Sequence, residues 1–218
     1  MKITHNIITL STAVLLVFSV SANAFAANLG FKDLDNVEAK DKIIALQEKG
    51  IILGTSTDAF SPDSAISAAE TIQLFVRAFN LNLDAIDYVG QPKASDFFKN
   101  ADDNAWYAQT LIFGAANGLD FPLDIDLNKG MNREEYTYRL VTAIEKYGQL
   151  PMINMMYMEY TDVDQVTVDY SGAIQRAIKY GIVALDKDGK FNPKASLTRA
   201  EAAEELYIAL QYMSAHDA

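Results

Sequence analysis

Apolar residues recur at helical spacing in six stretches of this chain, and the stretches fall into three pairs. From Glu38 to Lys49 the positions Ala39, Ile43, Ile44 and Leu46 share one helical face, and Gly50 follows as a left-handed stop. A second helix is predicted from Ala68 to Asn80, with Ile72, Phe75, Val76 and Phe79 turned inward. The pattern returns at Asn104–Asn117 and at Arg133–Tyr147, where Tyr136, Leu140, Val141 and Ile144 make the apolar face. It returns again at Val168–Tyr180 and Arg199–Met213, after which the tail Ser214–Ala218 is expected to fray.

Each second helix opens on a capping signal. Thr198 and Glu201 have the S/T-x-x-E spacing in which the hydroxyl accepts the third helical N–H and the carboxylate reaches back to the cap's own N–H. Ser67-Ala-Ala-Glu70 and Asn132-Arg-Glu-Glu135 repeat the pattern, the glutamates standing 65 and 66 residues apart. Each box lies downstream of a glycine–hydrophobic step, Gly50-Ile51, Gly118-Leu119 and Gly181-Ile182, at distances of 20, 17 and 20 residues from glycine to glutamate. These spacings define an internal repeat of three copies. The apolar faces of each copy need a neighbour to cover them, so the prediction is one mainly α unit, pseudo-threefold, built of three helix–loop–helix repeats. The repeats are placed at 31–80, 97–147 and 160–213, with connectors at 81–96 and 148–159. The second connector carries PMINMMYM, whose adaptable Met side chains either pack across a junction between repeats or form a partner patch.

Ahead of the first repeat, Met1-Lys2, an apolar run from Ile7 to Val20 and the small residues at Ala22, Ala24, Ala26 and Ala27 read as a secretory signal peptide, residues 1–26. No later stretch is long and apolar enough to span a membrane. The formal charge is −11, and loss of the signal, which carries one lysine and no acid, makes it −12. Such a chain repels nucleic acid and anionic membrane at long range, so any anion site must be local. With no cysteine, and with His5 in the signal and His216 in the tail, there is no material for a thiol nucleophile, a buried Ser-His-Asp triad or a multi-His zinc site. No cofactor is implied.

The repeats resemble a known family. An aromatic-x-Asp-hydrophobic start, a helix ending in Gly-hydrophobic, a loop with Asp-Gly-x-Phe-x-Pro and a Thr-Arg-Ala-Glu box are similar to the S-layer homology repeat. Repeat 3 has Tyr160, Asp162, Gly181-Ile182, Asp188-Gly-Lys-Phe-Asn-Pro193 and Leu197-Thr-Arg-Ala-Glu-Ala202. Repeat 2 supplies Trp106-Tyr-Ala and Asn-Arg-Glu-Glu135; repeat 1 keeps Phe31-Lys-Asp-Leu, Gly50-Ile-Ile-Leu-Gly54 and Phe60-Ser-Pro62. The resemblance covers residues 31–213. It implies a non-catalytic module, secreted and held at the cell wall or cell surface, that binds an acidic secondary cell-wall polysaccharide through grooves between repeats, often by a pyruvate-bearing sugar. The alternative is a degenerate member that holds another exported protein. The departures make the grooves unequal: Ala68 stands where the family has arginine, Glu38 and Asp169 where it has tryptophan, Asn100 replaces the leading aspartate of repeat 2, and Leu185 stands where repeat 1 has Gly54.

The glycan-binding candidates are Arg199, Arg133, Asp162, Asp33, Trp106, Gly181 and Gly54. Arg199 and Arg133 lie in first helical turns, where the helix end is partly positive, so each requires a negative partner. That partner is either a ligand carboxylate converging with the free helix N–H groups or an acid from a neighbouring loop. Asp33 and Asp162 either bond sugar hydroxyls or stabilise a turn. Trp106 either stacks on a sugar ring or joins the core, and Gly50, Gly118 and Gly181 serve first as helix stops. Asp186-Lys-Asp-Gly189 is a turn and not a calcium loop, because the twelfth position is Leu197 in place of glutamate. On this reading Arg199→Ala weakens binding and leaves folding intact, since Thr198 and Glu201 are untouched. Export carries its own expectation: intact mass of the protein from medium or wall fraction should place the first residue at Ala27, or at Phe25 if cleavage follows Ala24, and retention of residues 1–20 would contradict it.

Overall fold

The computed structural model describes residues 30–84, 90–150 and 158–216. The signal-peptide reading and all of the Met-rich run before Met158 lie outside the described residues. Those described are mainly helical: α1 (Lys40–Glu48), α2 (Ala68–Ala78), α3 (Ala108–Ala116), α4 (Arg133–Tyr147), α5 (Val168–Lys179) and α6 (Arg199–His216), with two short 3-10 turns and no strand among them. None of these helices is long and apolar enough to cross a membrane.

The caps form as their sequences dictate. Ser67 accepts the N–H of Glu70 and Glu70 returns a bond to the Ser67 N–H, at 3.3 and 2.8 Å. Thr198 and Glu201 do the same at 3.2 and 2.8 Å, and Asn132 accepts the Glu135 N–H at 2.9 Å. Gly50, Gly118 and Gly181 stop the first helix of each repeat at φ of 70°, 75° and 71°, a region that L side chains avoid.

Two helix limits differ from the sequence reading. α3 starts at Ala108, four residues after Asn104, because Asp102 folds the chain into a turn first. Its carboxylate accepts the Asn104 N–H and its carbonyl the Ala105 N–H, at 2.9 and 3.1 Å. α6 runs to His216 without fraying at Ser214. Stacking of Tyr212 on Tyr180 and of His216 on Tyr212, with centroids 4.4 and 4.1 Å apart, holds its last turn to α5.

The repeats are joined in cyclic order. α3 packs on α2, α5 on α4, and α1 on α6, so the first helix of every repeat lies against the second helix of the one before it, and the last repeat closes on the first. At the centre the residues just ahead of the three capped helices pair in a ring. The Ile66 N–H donates to the Leu197 carbonyl, Leu197 N–H to Met131, and Met131 N–H back to Ile66, at 3.0, 3.0 and 2.8 Å. Around this ring Tyr136, Phe75, Ile72, Leu140, Ile144 and Leu206 are fully buried. The Tyr136 hydroxyl reaches the Ala202 carbonyl at 2.7 Å, which satisfies a phenol that burial keeps neutral.

Within each repeat the leading acid clasps its own loop. Both oxygens of Asp33 accept N–H groups of Phe60 and Ser61, and those of Asp162 accept Phe191 and Asn192, all at 2.7–3.0 Å. Ser61 and Asn192 sit at φ 59°, a conformation costing an L residue about 1–2 kcal/mol that these charge-assisted bonds offset. In repeat 2 Asn100 retains one bond, from its amide to the Asp124 carbonyl at 3.2 Å. Asp186 accepts the N–H groups of Asp188 and Lys190 at 2.9 Å each, with Gly189 at φ 73°, which is the Asp-Gly turn.

Two outcomes follow from this architecture. Residues 28–148 lack α5 and α6, so α1 and α4 lose their covers and the central ring loses one of its three members. That fragment should show no sharp thermal transition by circular dichroism, and a cooperative one would contradict the cyclic dependence. The second concerns Glu205, which is fully buried on α6. Burial raises its pKa from 4.5 to about 7, against the lowering effect of Arg133 and the Thr137 hydroxyl on α4; Glu201 and Glu204 raise it further. The folded state therefore holds a proton that the unfolded chain has already released. The associated stability is fully present below the ordinary carboxylate pKa and is lost as pH rises through about 7, a loss on the order of 3 kcal/mol. Urea melts at pH 5 and pH 8 should show the wild type losing that much relative to Glu205→Gln, and parallel behaviour of the two would contradict it.

Candidate glycan-binding groove

A cavity of about 500 Å³ lies where all three repeats meet. Repeat 1 supplies its loop, from Ile51 to Thr55 with Phe60, and the face of α2 that carries Glu70, Gln73, Leu74 and Arg77. Repeat 2 supplies Trp106 and repeat 3 supplies Arg199. The cyclic helix order explains this mixture. α3 packs on α2, so the turn ahead of α3 swings Trp106 to the rim, and α6 starts against the loop of repeat 1, so Arg199 enters from behind.

Arg199 is 8% exposed and serves as a cross-link. Its Nη1 donates to Glu70 at 2.7 Å, its Nε to the Phe60 carbonyl at 2.9 Å and its Nη2 to the Leu53 carbonyl at 3.3 Å, while the guanidinium lies over the Phe60 ring, 4.7 Å from its centroid. Burial depresses its pKa and Glu70 opposes that. The negative partner demanded by its place in the first turn of α6 is therefore present in the chain, on α2. Nor are the helix N–H groups free for a ligand: Arg199 N–H donates to Ser64, Ala200 N–H to Pro62 and Glu201 N–H to the Thr198 hydroxyl. The starts of α2 and α4 are used in the same way, by the carbonyls of Lys129 and Leu127 and of Ala195 and Pro193. Convergence of helix N–H groups with the arginine on a ligand is thus corrected by the structure, because neighbouring loops already occupy them. The expectation that Arg199→Ala spares folding is corrected too, since one guanidinium ties α6 to α2 and to two loop carbonyls.

Gly54 lies in the wall of the cavity, and a Cβ there would stand 2.4 Å from the Ala59 carbonyl oxygen and 2.6 Å from the Phe31 ring. Only glycine lets the loop fold this closely. Trp106 is 61% exposed, edge-on to Tyr107, which takes the buried place beside it. The core reading of Trp106 fails because the Asp102 turn puts it ahead of the helix, outside the apolar stripe.

Arg133, Asp162, Asp33 and Gly181 do not line this cavity. Arg133 stands near the repeat 3 loop, over Phe191 at 5.5 Å, with Glu205 at 3.5 Å and Glu201 at 3.9 Å. The carboxylates of Asp33 and Asp162 are committed to their loop N–H groups, so both act as turn clasps; Gly181 acts as a helix stop with open space beside its Cα. The sequence reading did not select Arg77. Its guanidinium lines the cavity with no ion pair or side-chain hydrogen bond among the described residues, and burial lowers its pKa. The signal was available: Glu70, Gln73, Leu74 and Arg77 follow each other at helical i, i+3, i+4 and i+7 spacing and so share a face. Two guanidinium groups against the one carboxylate of Glu70 make the cavity locally cationic on an acidic protein.

The S-layer homology domain family matches residues 30–72 and 159–203. An endoglucanase of Bacillus sp. (strain KSM-635) is 26% identical over 172 residues, covering 79% of this chain and 18% of that protein. An amylopullulanase of Thermoanaerobacterium thermosulfurigenes is 27% identical over 86% of this chain and 10% of its own length. The surface-layer 125 kDa protein of Lysinibacillus sphaericus is 27% identical over 88% of this chain and 16% of its own length. The chain thus spans less than a fifth of each of these relatives. The two matched segments, which carry the loop of repeat 1, two of the three capping boxes and Arg199 of the groove, are S-layer homology segments.

Proposed function

We propose that this chain is a non-catalytic module that anchors at the bacterial cell surface by binding an acidic secondary cell-wall polysaccharide in the groove between Trp106, Arg77 and Arg199. The family supports surface association, since its members here include a surface-layer protein and two large enzymes that match this chain over less than a fifth of their length. The observation that carries the glycan reading is the pairing of an exposed tryptophan with a guanidinium, that of Arg77, uncommitted among the described residues, across one cavity. A pyranose ring offers an apolar C–H face that lies on an indole, and the Thr55 and Gln73 side chains in the lining suit hydroxyl groups. A carboxylate, as on a pyruvate-bearing sugar, is held by the planar fork of Arg77. Arg199 contributes positive potential from the wall while remaining bonded to Glu70, so it shapes the site without having to move.

The test is sedimentation with purified cell walls, before and after removal of the secondary polymer. Binding is expected only with the polymer present; equal binding after its removal, or none at all, would turn the reading toward an exported protein partner. Arg77→Gln removes a charge-assisted bond of roughly 1.5–3 kcal/mol, which is about ten- to a hundredfold in affinity. Trp106→Ala removes stacking worth roughly 1 kcal/mol, or about fivefold. Both should melt at the wild-type temperature because neither side chain holds the fold. Arg199→Ala should lower the melting temperature as well as binding, since it leaves Glu70 and two loop carbonyls without their donor. Full wall binding by Arg77→Gln across a salt series would overturn the site.

A further inference from the structure

The residue one helical turn past each capping glutamate differs among the three repeats, and it meets the same surroundings each time. Four positions after Glu70, Glu135 and Glu201 stand Leu74, Arg139 and Glu205. All three are buried. Leu74 is an apolar wall of the open cavity beside Phe60 and Arg199. Arg139 stands at the matching place in repeat 2, where Ile125 takes the sequence position of Phe60 and where Ala68 leaves the arginine position empty. Its guanidinium lies over the Phe121 ring at 4.5 Å from the centroid and donates to the Asp120 carbonyl. Arg199 makes the same two kinds of contact, with Phe60 and the loop carbonyls, but from the neighbouring repeat. The cavity left beside Arg139 is about 10 Å³, against about 500 Å³ beside Leu74.

Repeat 3 is closed by a different means. Glu205 bonds the Thr137 hydroxyl through one oxygen at 3.1 Å and sets the other 3.5 Å from Arg133, while Glu201 approaches the same guanidinium at 3.9 Å. At pH 8, where Glu205 is ionised, a ligand carboxylate directed at Arg133 would meet two carboxylates already there. Neither the Arg133 Nε nor the Glu205 Oε1 has a hydrogen-bond partner, so the pairing is held by charge and burial alone.

Resting on the glycan reading above, we infer that the side chain one turn past the capping glutamate selects which groove is open, and that this chain binds a single wall-glycan carboxylate. Leucine leaves the groove of repeat 1 open, the arginine of repeat 2 fills its own groove, and the glutamate of repeat 3 neutralises Arg133. Titration calorimetry at pH 8, with a glycoside carrying a pyruvate acetal, tests this on the full chain. The wild type should bind one equivalent. Glu205→Leu, which copies Leu74, should bind two, and Arg133→Ala added to it should return the count to one. Glu205→Gln, neutral and of the same shape, is the control should the leucine variant fail to melt cooperatively, and it too should bind two. Two equivalents in the wild type, or one in a folded Glu205 variant, would overturn the selector. Absence of binding in every protein would overturn the glycan reading itself, and the inference with it.

Discussion

Three backbone hydrogen bonds at the centre hold the order of everything else. Ile66, Leu197 and Met131 donate each to the next around a closed ring, and every later contact is registered on that ring. Because it fixes the segment ahead of each capped helix, it also fixes which loop carbonyls meet the helix N–H groups. A helix start leaves its first N–H groups without intrahelical partners. Here the first two go to a neighbouring repeat and the third to the helix's own cap. The ends of the helices thereby become the joints between repeats, and a single interaction type serves both local capping and global assembly.

From that arrangement the division of labour in the groove follows. An arginine in the first turn of α6 cannot reach the loop of its own repeat, because the ring turns it toward the loop of repeat 1. The loop, the aromatic rim and the buried cation then come from three separate repeats. A site assembled in this way has rigid walls, since each wall is anchored in a different part of the core. Arg77, in the last turn of α2 beside the buried stripe, is uncommitted among the described residues.

Local features were readable in the residues. Capping boxes, glycine stops and apolar stripes act over a few residues, and all six helices form in the stretches these signals mark, although α3 starts four residues later and α6 ends three residues later than read. What could not be read was partnership between repeats. The sequence places Arg199 beside Gly181 and Asp162 along the chain, whereas the fold places it beside Glu70 and Gly54, because the ring passes each arginine on to another repeat. The two aspartates stood in the same ambiguity, and it was the left-handed turn at Ser61 and Asn192 that claimed their oxygens. Trp106 was obscured by a helix drawn four residues too early, which put the indole on an apolar stripe. Arg77 was hidden by its plain appearance as one more basic residue near a helix end.

The closure of α6 onto α1 also bears on how the chain reaches this state. The bond from Arg199 to Glu70 spans 129 residues and the one to Phe60 spans 139. Contacts so distant along the chain have a large loop-closure cost before they return any stability, which slows folding. The central ring cannot close until its last member at Leu197 is available, so a nascent chain lacking α6 stays short of the native state. Such a delay keeps the polypeptide pliable until α6 is available, and lets the groove form only once the whole repeat set is present together.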